Sequence, residues 1–221
     1  MLSLRSDPLA RFVTLSLLLL PLWFVAWFNL ADILLWPAIM ASGALLNLLQ
    51  PGLVEGFEGT SGALDVVTSI DALHPQGVGQ VVIEVNLLSY AWNLPVLFSL
   101  LFATDPRFFS YRHLTLAYIG LLPCYILGLC FQVLKTLALQ SGPEAHAFLN
   151  YTGFQLELIA LGHQFAYLML PVIGAVVLWV SMNRDMLLLL LDQLKSAPEP
   201  APGAGSPLPG GRGKNNRSYD L

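Results

Sequence analysis

The sequence predicts an all-α polytopic membrane protein: four transmembrane helices, an interfacial helix and a small extracytoplasmic β-hairpin region. Three observations carry that prediction. The 221 residues are 56% hydrophobic and only 11% charged, where a soluble domain holds about 25% charged residues. Several apolar runs reach the roughly 18 residues that mark a membrane-spanning helix. Apart from Lys135, Lys and Arg are confined to alternate connecting segments, the pattern that orients spans in a bilayer. The lipid bilayer is therefore the first partner. No basic patch points to nucleic acid. No Cys/His spacing points to a metal site, and no cofactor is expected. Cys124 and Cys130 stand six apart on one helix, about 9 Å of rise, beyond disulfide reach. They read as two buried small hydrophobes.

In chain order, residues 1–11 carry Arg5 and Arg11 and form a cytoplasmic N-terminus. "FVTLSLLLLPLWFVAWFNLA", residues 12–31, is the first span, with Trp23 and Trp27 toward its far interface. In 32–50, "DILLWPAIMASGALLNLLQ", Asp32 can cap a second helix, and Pro51–Gly52 end it. Residues 51–86 hold Glu55, Glu58, Asp65, Asp71 and Glu84 but no Lys or Arg. Their β-branched runs "DVVTSID" and "GQVVIEVN" suggest a hairpin. A three-helix core follows over 87–182, with spans Leu87–Thr104, Leu114–Leu139 and Leu158–Met182. Residues 183–195 read as a cytoplasmic helical extension. Residues 196–221, rich in Pro and Gly, read as a disordered tail.

Charge decides whether 32–50 crosses. With four crossings, both termini and the Arg107/Arg112 loop share the cytoplasm, and every acidic loop without Lys or Arg lies outside. A fifth crossing would invert the later loops, so 32–50 is placed in or on the outer leaflet.

That orientation gathers polar residues at one depth. Asn86, Ser89, Tyr90 and Asn93 recur at i, i+3, i+4, i+7, one face of a helix. Gln132 and Lys135 follow at i, i+3 near the outer end of the next span. Glu157, Gln164 and Tyr167 share a stripe at the start of the last, with His163 beside it. An isolated charge at mid-bilayer costs about 2.5–3.5 kcal/mol on the insertion scale, so these faces are expected to meet each other or an outward cleft. Plainer roles are open to each. Lys135 in a last turn suits snorkelling, Glu157 in a first turn suits the helix dipole, and the amides suit interhelical hydrogen bonding.

A β-like run entering a span, a two-Arg loop, a Pro-containing span and a span with an early His together resemble the core of the exosortases and archaeosortases, over about residues 80–180. The resemblance implies a Cys, an Arg and a His at the outer leaflet. Here "VNLLSYAWNLP" has Leu88 or Ser89 at the place of the Cys. Counting from Pro123 in "LPCYILGLCFQVLK" reaches Gln132 at the place of the Arg. His163 in "LGHQFAYLMLP" matches the His. The run "EVNLLSYAWNLPVLFSLLFAT" is more similar to the exosortase H-associated membrane proteins, bacterial companions of a sorting exosortase. The missing Cys and Arg favour a non-catalytic accessory protein of the bacterial inner (cytoplasmic) membrane, binding an exosortase or its C-terminally anchored substrate. Two other readings stay open. One is a hydrolase or transpeptidase-like enzyme using Ser89 with His163 as base. The other is a small transporter component, although the polar groups cluster at one leaflet rather than at the midplane.

Overall fold

The computed structural model describes residues 8–74, 77–104 and 110–196. The expectations for residues 1–7, for Arg107 and for 197–221 lie outside those.

Among the described residues, three helices are long and apolar enough to cross a membrane: Leu9–Leu49, Tyr111–Leu139 and Gly153–Met182. The first belongs to α1, Pro8–Leu49, a continuous 42-residue helix about 63 Å long at 1.5 Å per residue. The break expected at Asp32 does not occur, so the separate segments 12–31 and 32–50 are one element. The reason is what Asp32 binds. Instead of capping a new helix, its carboxylate accepts from the backbone N–H (2.7 Å) and the hydroxyl of Ser61. At the far end, the Asn47 amide donates to the Val54 carbonyl (2.9 Å) and accepts from the Val54 N–H (2.8 Å). These two ties lay the following strand back along α1.

That strand is β1 (Val54–Thr60), followed by β2 (Ala63–His74) and β3 (Gly77–Val85). They form an antiparallel meander in the order β1-β2-β3, one strand more than the expected hairpin. The extra strand, "VEGFEGT", contains two glycines and two glutamates, which hide its alternation. Leu64, Val66, Thr68 and Ile70 of β2, with Ile83 and Val85 of β3, are buried, so one face packs inward at the two-residue period of a strand. On the other face Glu58, Asp65 and Glu84 stand directly opposite one another across the three strands.

β3 leads into a short helix pair, α2 (Leu88–Ala91) and α3 (Asn93–Ala103). Together they cover about 24 Å, less than the roughly 30 Å hydrocarbon thickness that the expected span Leu87–Thr104 was to cross. α4 (Tyr111–Leu139) begins at a capping box in which Ser110 and His113 exchange hydrogen bonds. A helix the sequence did not suggest, α5 (Pro143–Leu149), ends at Asn150 in the left-handed conformation and packs on β2. α6 (Gly153–Gln164) starts at a second capping box, Thr152 with Gln155, five residues before the expected Leu158. A π-turn, Phe165–Met169, joins it to α7 (Leu170–Met182), and α8 (Arg184–Ser196) is the last described element.

Side-chain contacts fix the directions. The Tyr118 hydroxyl donates to the Leu34 carbonyl (2.7 Å), and the Cys130 thiol reaches the Ser42 carbonyl (3.7 Å), so α4 runs parallel to α1. Leu178 lies over Gly120, Cys124 beside Gly174, and Phe131 over Gly162, so α6–α7 run antiparallel to α4. Trp23 of α1 meets Phe98 and Phe102 of α3. The bundle alternates in direction, and the sheet inserted between α1 and α2 packs against α1, α4 and α5.

Candidate functional site

The exposed carboxylates of Glu55, Glu58 and Glu84 require water, so the sheet end of the bundle lies at an aqueous interface. Close to this end, α2, α4 and α6 with the π-turn bring polar side chains together in two tiers.

The inner tier is closed. Asn93 and Tyr125 are fully buried. The Tyr125 hydroxyl donates to Asn93 Oδ1 (2.9 Å), and Asn93 Nδ2 donates to the Pro171 carbonyl (3.0 Å). One amide therefore ties α3, α4 and α7, and each of its functional groups has a partner. Pro171 brings an irregularity with it, since proline offers no N–H to the turn before it. The Leu170 N–H instead reaches back five residues to the Phe165 carbonyl, which makes the π-turn. Such turns concentrate at functional sites.

The outer tier is open. Tyr90 of α2 is buried, its ring lodged against Gly128 of α4. Its hydroxyl donates to Gln132 Oε1 (3.1 Å). The Tyr90 ring meets Tyr167 edge-on at 5.5 Å, and Tyr167 stacks on His163 with ring centres 6.0 Å apart. His163 Nδ1 is buried and has no hydrogen-bond partner among the described residues. Lys135, half-buried on α4, is near enough to His163 to act on it electrostatically.

The structure thus joins Tyr90, Gln132, Lys135, His163 and Tyr167 in one cluster and sets Asn93 deeper, against Tyr125 two turns from Gln132 on α4. The other sequence candidates stay at the rim. Asn86 caps α2, its Oδ1 accepting from the Leu88 N–H (3.1 Å), and the Ser89 hydroxyl donates to the Asn86 carbonyl (2.7 Å). Glu157 and Gln164 are exposed. No hydrogen bond joins Ser89 to His163 among the described residues. Tyr125 was absent from the sequence candidates, although it continues the Gln132/Lys135 stripe inward at i−7. Elsewhere a small cavity of about 70 Å³ is lined by Ala138, His146, Leu149, Tyr151 and Leu156. It holds none of the candidate residues, and burial pushes the Tyr151 hydroxyl pKa up. No group of three or more metal-ligating side chains occurs among the described residues.

Long apolar helices around a polar cluster, beside a small sheet with an acidic outer face, define a helical membrane protein that concentrates its hydrogen-bonding chemistry at one end. The family model for the exosortase H-associated membrane protein matches residues 6–186, most of the chain, and the chain belongs to that family. No curated protein and no solved structure matches it.

Proposed function

We propose that this protein is a non-catalytic accessory component of a bacterial exosortase-type sorting system, binding the sorting enzyme or the membrane tail of its substrate. Membership of a family described by its association with exosortase H carries this reading. The site chemistry supports the non-catalytic part. A serine nucleophile needs a base within hydrogen-bond reach, whereas the Ser89 hydroxyl is engaged by the Asn86 carbonyl and His163 Nδ1 has no partner. Gln132, at the place of an arginine, carries no charge and is held by Tyr90.

The same reading places four crossings in the inner membrane, with the termini in the cytoplasm and the sheet outside. The Lys/Arg-free composition of 51–86 supports this orientation. Affinity purification of the full chain from its native membranes tests the function. An exosortase, or a substrate retaining its membrane tail, is expected in the eluate. Recovery of neither overturns the proposal.

A further inference from the structure

The open tier is a set of donors without acceptors. Gln132 uses its carbonyl to accept from Tyr90, so its amide N–H groups keep no protein partner among the described residues. One turn on, Lys135 is half-buried and forms neither an ion pair nor a hydrogen bond among those residues. Across from it, His163 Nδ1 is buried and unpartnered, and with the proton on that nitrogen it becomes a further donor. A stranded polar group is costly away from water, and an unpaired charge more so. The cost is recovered if an oxyanion occupies the cluster.

The surroundings indicate how such an anion arrives. Leu158, Leu161, Phe165 and Leu168, on the same helix as His163, are all apolar and about half or more exposed (55%, 63%, 47% and 64%). These positions bracket His163 along the helix but on its far, lipid-facing side, so they set the depth of the cluster rather than a path to it, and an anion reaching that depth from the bilayer comes attached to acyl chains. We infer that Gln132, Lys135 and His163 bind the phosphodiester of an anionic phospholipid at the sheet end of the bundle, with the acyl chains running alongside the exposed Tyr167 edge of the π-turn. A zwitterionic lipid fits less well, because it brings its own ammonium group toward Lys135. The inference stands on the fold and does not depend on which sorting partner is bound.

Native mass spectrometry of the full-length protein, released from micelles holding equal amounts of phosphatidylglycerol and phosphatidylcholine, tests it. Phosphatidylglycerol is expected to be retained about fivefold over phosphatidylcholine, the discrimination one basic side chain supplies near a membrane surface. Lys135→Gln is expected to bring retention to parity, and Lys135→Arg to restore it. His163→Phe, which keeps the stacked ring but removes the nitrogens, should reduce it too. Inorganic phosphate at millimolar concentration should leave the bound lipid in place. Parity in the unmodified protein overturns the inference, as does a preference untouched by both Lys135→Gln and His163→Phe. Displacement by inorganic phosphate would assign the site to a free anion and overturn the lipid source.

Discussion

The two polar tiers lie seven residues apart on α4, about 10.5 Å, and are built from similar side chains, yet they are finished differently. Around Asn93 the amide oxygen, the amide nitrogen and the Tyr125 hydroxyl are all paired within fully buried surroundings. Around His163 the hydrogen bonding stops halfway: Tyr90 and Gln132 pair, while neither Lys135 nor His163 Nδ1 has a hydrogen-bond partner among the described residues. Polar groups in a helical bundle therefore serve two ends. Where every group is satisfied they fix helix positions. Where satisfaction is incomplete they hold binding capacity in reserve. The distinction shows in partner accounting and not in residue type, since an asparagine and a tyrosine begin the inner tier and a glutamine and a tyrosine begin the outer one.

The largest expected effect comes from breaking the closed tier. Asn93→Ala strands the Tyr125 hydroxyl, releases α7 from α3, and opens a void among fully buried side chains. A stranded buried group costs about 1–3 kcal/mol, and with the void the loss should lie near the top of that range. Equilibrium unfolding in mixed micelles measures it. A loss below the 0.6 kcal/mol typical of membrane hydrogen bonds would show that the inner tier holds nothing together. Next comes Gly128→Ala. A methyl group there would lie 2.6 Å from the Tyr90 ring, so the ring must leave its seat against α4. Overpacking of this kind costs about 1–3 kcal/mol, and the Tyr90–Gln132 bond and the edge contact with Tyr167 should go with it. Loss of the Tyr90 contribution to near-ultraviolet circular dichroism would report the displacement. Unchanged spectra and stability would mean the two tiers are mechanically independent.

Much of this was legible in the sequence, for reasons the structure makes explicit. Depletion of charge and the lengths of the apolar runs gave the helices, because a bilayer admits few other solutions. The i, i+3, i+4, i+7 spacing of Asn86, Ser89, Tyr90 and Asn93 marked a polar face, but spacing alone could not tell its inner half from its rim. Asn86 and Ser89 satisfy each other and α2 locally, while Tyr90 and Asn93 reach across helices. Tyr125 escaped notice because a tyrosine in an apolar run looks like packing, and its partner is 32 residues away. The continuity of α1 through Asp32 was hidden for the same reason. Asp32 is a good helix cap by local rules, and only the fold brings Ser61 to it. The early starts of α4 and α6 were readable, since Ser110/His113 and Thr152/Gln155 stand at capping-box spacing. Apolar periodicity alone placed those starts too late.

The smallest expected effect separates the tiers most sharply. Tyr90→Phe keeps the ring that fills the space over Gly128 and keeps its edge against Tyr167, removing only the hydroxyl that donates to Gln132. Gln132 is half-buried beside an open cluster, where water can replace the lost donor. The loss should then be no more than the 0.6 kcal/mol average for interhelical hydrogen bonds in membranes. Tyr125→Phe removes the same atom from the closed tier, where the Asn93 carbonyl has no second donor, and should cost about 1–2 kcal/mol. Pairing each tyrosine change with its amide partner, as Tyr90→Phe with Gln132→Leu and Tyr125→Phe with Asn93→Leu, gives two coupling energies from one unfolding assay. A larger coupling at Tyr125 is what a closed inner tier requires. Equal couplings would make both tiers structural and place the unpaired donors at His163 and Lys135 outside any shared network.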